Sequence, residues 1–168
     1  EAEQAVAALV APNAPRTRIN DNPAFTVLGS LFEPSAGRYQ SALESWVKQR
    51  PNSALAWLIY SRWLHTWAWE ARGTKFVQSI PGEASKVYQE RLALAVTALA
   101  QAEALDKNGL LPRYLRLSFA PELGNSPKEQ RAMFDAADKL QPHSWAIHSD
   151  YLQGLAPKWG GESEEYLF

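Results

Sequence analysis

The sequence contains no cysteine. That excludes disulfides, thiolate metal sites and a cysteine nucleophile. It leaves the compartment open, since such a chain suits both cytoplasm and periplasm. An excess of one charge is also missing. With 17 basic and 18 acidic side chains the net charge is −1, so no bulk field draws in nucleic acid or an anionic membrane. The charges are spread along the chain, and only Glu162, Glu164 and Glu165 form a local acidic cluster. No apolar run approaches the roughly 18 residues of a membrane-spanning helix, so no membrane insertion is expected. A glycine-rich phosphate loop is lacking too: Gly160-Gly161 has no Walker pattern around it, and Gly124 is a lone turn glycine. There is no HExxH motif. Of the three histidines, His65, His143 and His148, the last two are five apart and do not share a helix face. No metal or cofactor is expected.

What is present is apolar and aromatic. Hydrophobic residues make up 46% of 168 residues and aromatics 11%, enough for one domain with a sizeable core. The stretch from Pro51 to Gly73 holds Trp57, Trp63, Trp67 and Trp69, four of the seven tryptophans. Between Ala54 and Trp69 its polar side chains are Ser61, Arg62, His65 and Thr66, besides the Tyr60 hydroxyl. A helix that apolar around most of its circumference must be covered on several sides. It reads as the central helix of the domain, capped by Ser53 and ended by Arg72-Gly73. Trp57, Tyr60, Leu64 and Trp67 recur at three- and four-residue spacing and are expected to face neighbouring helices.

Other helices are placed by the same signals. Residues 1–22 read as a helical arm and a Pro- and Asn-rich linker; residues 23–168 read as the folded domain. A short helix over Ala24–Phe32 starts from Asp21 or Asn22. The next, capped by Ser35, carries Tyr39, Ala42, Leu43, Trp46 and Val47, and stops at Pro51. Thr74–Ile80 is a connection. The longest pattern, Glu83 to Leu105, buries Tyr88, Leu92, Ala95, Val96, Leu99 and Ala102. It exposes Lys86, Gln89, Glu90, Ala93, Thr97, Ala100 and Gln101. A helix over 112–119 turns Tyr114, Leu115 and Leu117 inward. Ser126-Pro127-Lys128-Glu129 is a capping box with proline at the first helical position. Its helix is expected to bury Met133, Phe134, Ala137 and Leu140. After Pro142, Ser144 caps a helix with Trp145, Ile147, Tyr151, Leu152 and Leu155. Pro157–Gly161 reads as a corner plugged by Trp159. No stretch reads as a strand.

The segment Leu111–Ser144 spans 34 residues, the tetratricopeptide period. Tyr114, Leu117 and Ser118 take the aromatic, apolar and small positions of a first helix. Phe134, Ala137 and Pro142 take the matching positions of a second. The expected fold is therefore all-α: six to eight helices in stacked antiparallel hairpins, with degenerate tetratricopeptide-like repeats.

Two blocks, Trp67–Gly73 (W-A-W-E-A-R-G) and Leu155–Gly161 (L-A-P-K-W-G-G), resemble those of a bacterial family, domain of unknown function four-thousand-thirty-four. In it an ARG block ends a Trp- and Tyr-rich helix, and acidic residues follow a PKWGG block. The resemblance covers roughly residues 30–168 and implies a tetratricopeptide-like fold without an assigned activity. It would place the chain in a bacterial cytoplasm or periplasm. Glu1 in place of methionine suggests a processed chain, and the last residues suggest a helix cut short.

Candidate binding residues lie on the polar stripe of the central helix: Arg62, His65, Thr66, Trp69 and Glu70, with Arg72 at its end. Residues four apart share a face, so Arg62 neighbours Thr66, and Thr66 neighbours Glu70. One reading is a groove with an aromatic floor and arginine for an acidic group. The other is an internal network, and it has the stronger physical argument, because buried polar groups must be satisfied. Ser144, His148 and Asp150 contain the residue types of a hydrolytic triad, but a short helix supplies no oxyanion hole. No catalytic residues are assigned. The expected function is non-enzymatic binding of another protein or peptide, as an immunity or adaptor protein for a secreted toxin. The alternative is a small-ligand or enzymatic domain with a tryptophan-lined pocket.

Overall fold

A computed structural model describes residues 22–32, 36–73 and 82–159. Among them every regular element is helical. Seven α-helices occur in order: α1 (Pro23–Ser30), α2 (Gln40–Gln49), α3 (Ala54–Arg72), α4 (Gly82–Leu105), α5 (Leu110–Phe119), α6 (Pro127–Asp138) and α7 (Trp145–Gly154). Short 3-10 turns cover Ala36–Tyr39 and Pro157–Trp159. The all-α expectation holds, with a helix number inside the expected range. The arm at residues 1–21, the Ser35 cap, the Thr74–Ile80 connection and Gly160-Gly161 lie outside the described residues.

The chain divides into two compact units, one of Val27–Lys107 and one of residues 22–26 with 108–159. In the first unit α3 contributes more buried residues than α4. Ser53 caps it, its side chain accepting from the Ala56 amide at 3.1 Å, and Gly73 ends it at φ 69°. That positive φ is the reason a glycine stands there. Helix α4 lies antiparallel to α3. As the chain advances along α3 through Ser61, Trp67 and Trp69, its partners retreat along α4 through Ala95, Arg91 and Tyr88. Small side chains line this contact: Ser61 and Ala68 on α3, and Ala95, Ala98 and Ala102 on α4, all buried. They allow close backbone approach.

The expected burial of α4 is met at Leu92, Ala95, Leu99 and Ala102, and all seven expected exposed positions are exposed. Tyr88 and Val96 are only half-buried, and Ala98 joins the core. On α3 the deepest aromatic is Trp63, fully buried, whereas Trp57, Tyr60 and Trp67 are half-buried. The four rings run in one series along the helix. Trp57 meets Tyr60 edge-on, Tyr60 stacks on Trp63, and Trp63 stacks on Trp67 at 4.9 Å. On α2, Leu43 and Val47 are buried as expected, but Ala42 is exposed.

In the second unit Asn22 caps the chain's entry into α1, accepting from the Ala24 amide at 2.9 Å. Phe25 packs on Tyr114 of α5 with ring centroids 4.4 Å apart. Helices α6 and α7 form a second antiparallel pair, since Gln130 faces Gly154, Phe134 faces Tyr151, and Asp138 faces His148. Both helices start on serine caps: Ser126 in the expected capping box with Glu129, and Ser144 accepting from the Ile147 amide at 3.3 Å. One expected core position is corrected. Leu140 is exposed because α6 ends at Asp138 and leaves it in the turn. Trp145 and Leu152 are exposed because each lies on the opposite side of α7 from buried Ile147.

Gly154 sits where α7 meets α6 and the turn after α5. A Cβ there would lie 2.3 Å from Gln130 Oε1 and 3.0 Å from a Pro121 ring carbon. Gln130 cannot easily retreat, because its Nε2 donates to the Asn125 carbonyl and the side chain is buried. Gly154→Ala should therefore destabilise the protein by about 1–3 kcal/mol. Gly29→Ala, in an exposed helical site with open space around it, should be neutral or stabilise by up to about 1 kcal/mol. Urea titration of both variants checks the contrast.

Glu129 supplies a second test. Hydrogen bonds from the Ser126 amide and hydroxyl hold its carboxyl below the ordinary range. A depressed carboxylate pKa gives stability that is present above the unfolded-state value and lost as pH falls through the folded value. The urea midpoint should thus drop below about pH 4.3, and Glu129→Gln should flatten that part of its acid dependence.

Candidate functional site

The polar stripe of α3 is built into the first unit. Arg62 reaches the end of α1. Its Nε donates to the Leu28 carbonyl and Nη2 to the Gly29 carbonyl, both at 2.8 Å. Those carbonyls belong to the last turn of a helix, where no intrahelical amide remains to satisfy them. A planar guanidinium matches two adjacent acceptors, and its charge suits a helix C-terminus. Arg62 therefore acts as a side-chain cap on α1.

His65, one turn on, is 7% exposed. Arg62 Nη1 lies 3.2 Å from its Nδ1, and the Trp69 indole N–H lies 3.2 Å from its Nε2. Arginine and tryptophan offer only donors, and a neutral imidazole accepts at one nitrogen only. One of the two contacts is therefore a hydrogen bond and the other is packing. Either way both ring nitrogens are covered by donors. This arrangement leaves no lone pair of His65 directed at a substrate or metal.

The remaining members are also engaged. The Thr66 hydroxyl donates to the Arg62 carbonyl at 3.1 Å, a bond back along its own helix. The Glu70 carboxylate accepts from the Ala36 amide and so anchors the Ala36–Tyr39 turn. Trp69 meets Tyr88 of α4 edge-on, and the Arg72 guanidinium lies 4.6 Å from the Trp69 ring centroid. The structure thus joins Arg62, His65 and Trp69 into one chain of contacts and adds Arg72 by stacking. Thr66 meets Arg62 only through the backbone, and Glu70 turns to a different element. Glu70 is the exposed member, and Arg62, Thr66, Trp69 and Arg72 are half-buried.

Arg91 of α4 belongs with this group, although the stripe on α3 did not point to it. Its guanidinium lies 3.6 Å from the Trp67 ring centroid, and its Nη1 donates to the Trp67 carbonyl at 2.8 Å. Burial lowers its pKa, and the nearby Glu70 carboxylate opposes that shift. The sequence held a signal for it: Arg91 lies three residues after Tyr88 and four before Ala95, within the stripe that faces α3.

The second unit holds the other candidate chemistry. His148 meets Asp138, not Asp150, with Nε2 at 3.0 Å from Oδ1. Asp138 also accepts from the His143 amide, which ties the α6–α7 turn, where His143 adopts φ 63°. Ser144 is buried and its hydroxyl serves as the cap. The three residue types of a triad are present, but their contacts are those of a turn. Among the described residues no group of three or more His, Asp or Glu is placed to hold a metal ion, and no helix is long and apolar enough to cross a membrane.

One aromatic is not absorbed by packing. Trp145, the first residue of α7, is 62% exposed, and Leu152, two turns on along the same face, is exposed as well. His148 and Ser149, both half-buried, lie between them on the helix surface. A search of protein-family models, curated proteins and solved structures finds no match to this chain.

The stripe's role is decided by Arg62. Its removal strands two carbonyls and a buried histidine, so Arg62→Ala should lower stability by about 2 kcal/mol. Arg72→Ala should stay within about 0.5 kcal/mol. If the stripe served a groove instead, Arg62→Ala would leave the urea midpoint unchanged.

Proposed function

We propose that this chain is a non-enzymatic helical-repeat domain that binds another protein through the outward face of α7. One observation carries the reading: Trp145 stands 62% exposed on one helix face with exposed Leu152 two turns on. Tryptophan is the residue most enriched at interface hot spots. Covering the exposed part of an indole of about 200 Å² would contribute roughly 3 kcal/mol. That is most of a hot spot from one side chain. The half-buried His148 and Ser149 between Trp145 and Leu152 add hydrogen-bonding groups. The surface is of mixed polarity, as suits a partner's amphipathic helix or loop.

The alternative, a pocket walled by the α3 tryptophans, has no comparable support. Trp63 is fully buried between Tyr60 and Trp67, so those rings are filled by one another. Within the leading reading, we keep the finer proposal of a bacterial immunity or adaptor protein for a secreted toxin. It rests on the resemblance of the ARG and PKWGG blocks and on analogy among small helical domains.

The test places a photo-crosslinking amino acid at Trp145, or at exposed Lys86 as control, and identifies adducts from an extract of the source cell. A partner captured at residue 145 should bind the Trp145→Ser variant at least about 10-fold more weakly by calorimetry. The variant's melting temperature should be unchanged, since the indole is exposed. Unaltered affinity, or equal capture at both positions, would count against the proposal.

A further inference from the structure

Four asparagines lie among the described residues, and the backbone amide that follows each one is placed differently. Asn22 precedes Pro23, which has no N–H. Asn52 precedes Ser53, whose N–H donates to the Arg50 carbonyl at 3.0 Å. Asn125 precedes Ser126, whose N–H donates to Glu129 Oε2 at 2.7 Å inside the capping box. Asn108 precedes Gly109, the N-cap of α5. Among the described residues no hydrogen bond engages the Gly109 N–H or the Asn108 carboxamide. Asn108 is also exposed, in the turn between α4 and α5.

This combination has a chemical consequence. The side-chain carbonyl carbon of an asparagine, Cγ, lies within reach of the next residue's main-chain nitrogen, and a bond between them closes a five-membered ring. Two features oppose that attack: a hydrogen bond that holds the amide, and a Cβ on the following residue that crowds the approach. At Gly109 both are missing, since the N–H is unengaged and glycine has no Cβ. We propose that Asn108-Gly109 is a self-modifying site, at which the folded chain deamidates to a mixture of aspartate and isoaspartate at residue 108. Solvent base removes the Gly109 amide proton, and the nitrogen attacks Asn108 Cγ. The N–Cγ bond forms, the Cγ–Nδ2 bond breaks, and Nδ2 takes a proton from water and leaves as ammonia. Water then opens the succinimide ring. Cleavage of the new N–Cγ bond gives aspartate in an ordinary main chain. Cleavage of the bond from that nitrogen to the Asn108 main-chain carbonyl carbon leaves Gly109 joined through Cγ, an isoaspartate. In sum one water is consumed and one ammonia released, with no change of oxidation state.

Either product adds a negative charge just before α5, whose first turn holds no acidic residue and whose N-cap offers no side-chain acceptor. An aspartate there suits the helix N-terminus. The isoaspartate adds a backbone atom where the chain passes from Lys107 of one compact unit to Asn108 of the other. No residue of α7 takes part, so this proposal is independent of the Trp145 reading.

The whole chain is incubated at mildly alkaline pH, both folded and in urea, and digested at intervals for peptide mass spectrometry. Chromatography separates isoaspartate from aspartate. In the folded chain residue 108 should gain one mass unit at least about 10-fold faster than residue 52 or 125, where freeing the next amide costs a hydrogen bond and a Cβ crowds the attack. Urea separates the geometry from the bare Asn-Gly sequence: unfolding should speed the reaction at residues 52 and 125 more than at residue 108. Gly109→Ala should slow the reaction at residue 108 at least about 10-fold with the fold kept, since φ −65° and ψ 133° are open to alanine. An unchanged Asn108 in the folded chain would overturn the proposal. So would folding that protects Asn108 as strongly as Asn52 and Asn125, or aspartate formed without isoaspartate, which marks direct hydrolysis with no ring.

Discussion

The hydrogen bond from the Ser61 hydroxyl to the Ala95 carbonyl, 2.8 Å long, records how closely α3 and α4 lie. A side chain as short as serine spans from one helix to the backbone of the next only where the axes are near. That closeness needs small residues on both sides, and Ala68, Ala95, Ala98 and Ala102 supply them. Larger side chains there would separate the helices and strand the buried Ser61 hydroxyl. Smaller burial per residue is offset by length, since α4 runs for 24 residues and α3 for 19. The aromatics are consequently displaced from this seam. Trp63 turns toward the Ala36–Tyr39 turn, where its indole N–H donates to the Ala36 carbonyl at 2.7 Å.

From this arrangement the fate of the polar stripe follows. A helix covered on several sides has little circumference left for water, so its arginines and carboxylate must find protein partners. Arg62 finds the end of α1, Glu70 the start of the Ala36–Tyr39 turn, and Arg91 the Trp67 carbonyl. Each uses a charged side chain to satisfy a backbone group outside its own helix. The network ties short elements, which lack cores of their own, to the long pair. Polar residues on α3 are thus a means of assembly. Their chemistry is already committed to backbone groups before any ligand is considered.

Much of this was legible in the sequence, for identifiable reasons. Caps at Ser53, Ser126 and Ser144 were readable because a serine or capping box in front of an apolar run satisfies local amides, and no tertiary information is needed. The exposed face of α4 was readable because a long helix averages out ambiguity. On α7 the helix itself was readable, but the sequence reading left open which of its large apolar residues face inward. The angular rule alone would have separated them, since residues two and five positions from Ile147 fall on the far side. The target of Arg62 was not readable, because Leu28 and Gly29 accept through backbone carbonyls that carry no sequence signature. Arg91 lay between these cases: its spacing marked it as facing α3, but its charge argued for solvent.

The residues that escaped burial are informative for the same angular reason. A helix in a small domain has one face fixed by its packing partner, and the composition of the opposite face is then free to vary. Where that free face is charged, as at Lys86 and Glu90 on α4, solvent explains it. Where it carries Trp145 and Leu152, solvent does not explain it. Isolated exposed leucines are common on protein surfaces. An indole with a leucine two turns away on the same face is an ordered pattern. The α7 face has a large anchor in Trp145 and polar groups beside it, which suit an unlike partner.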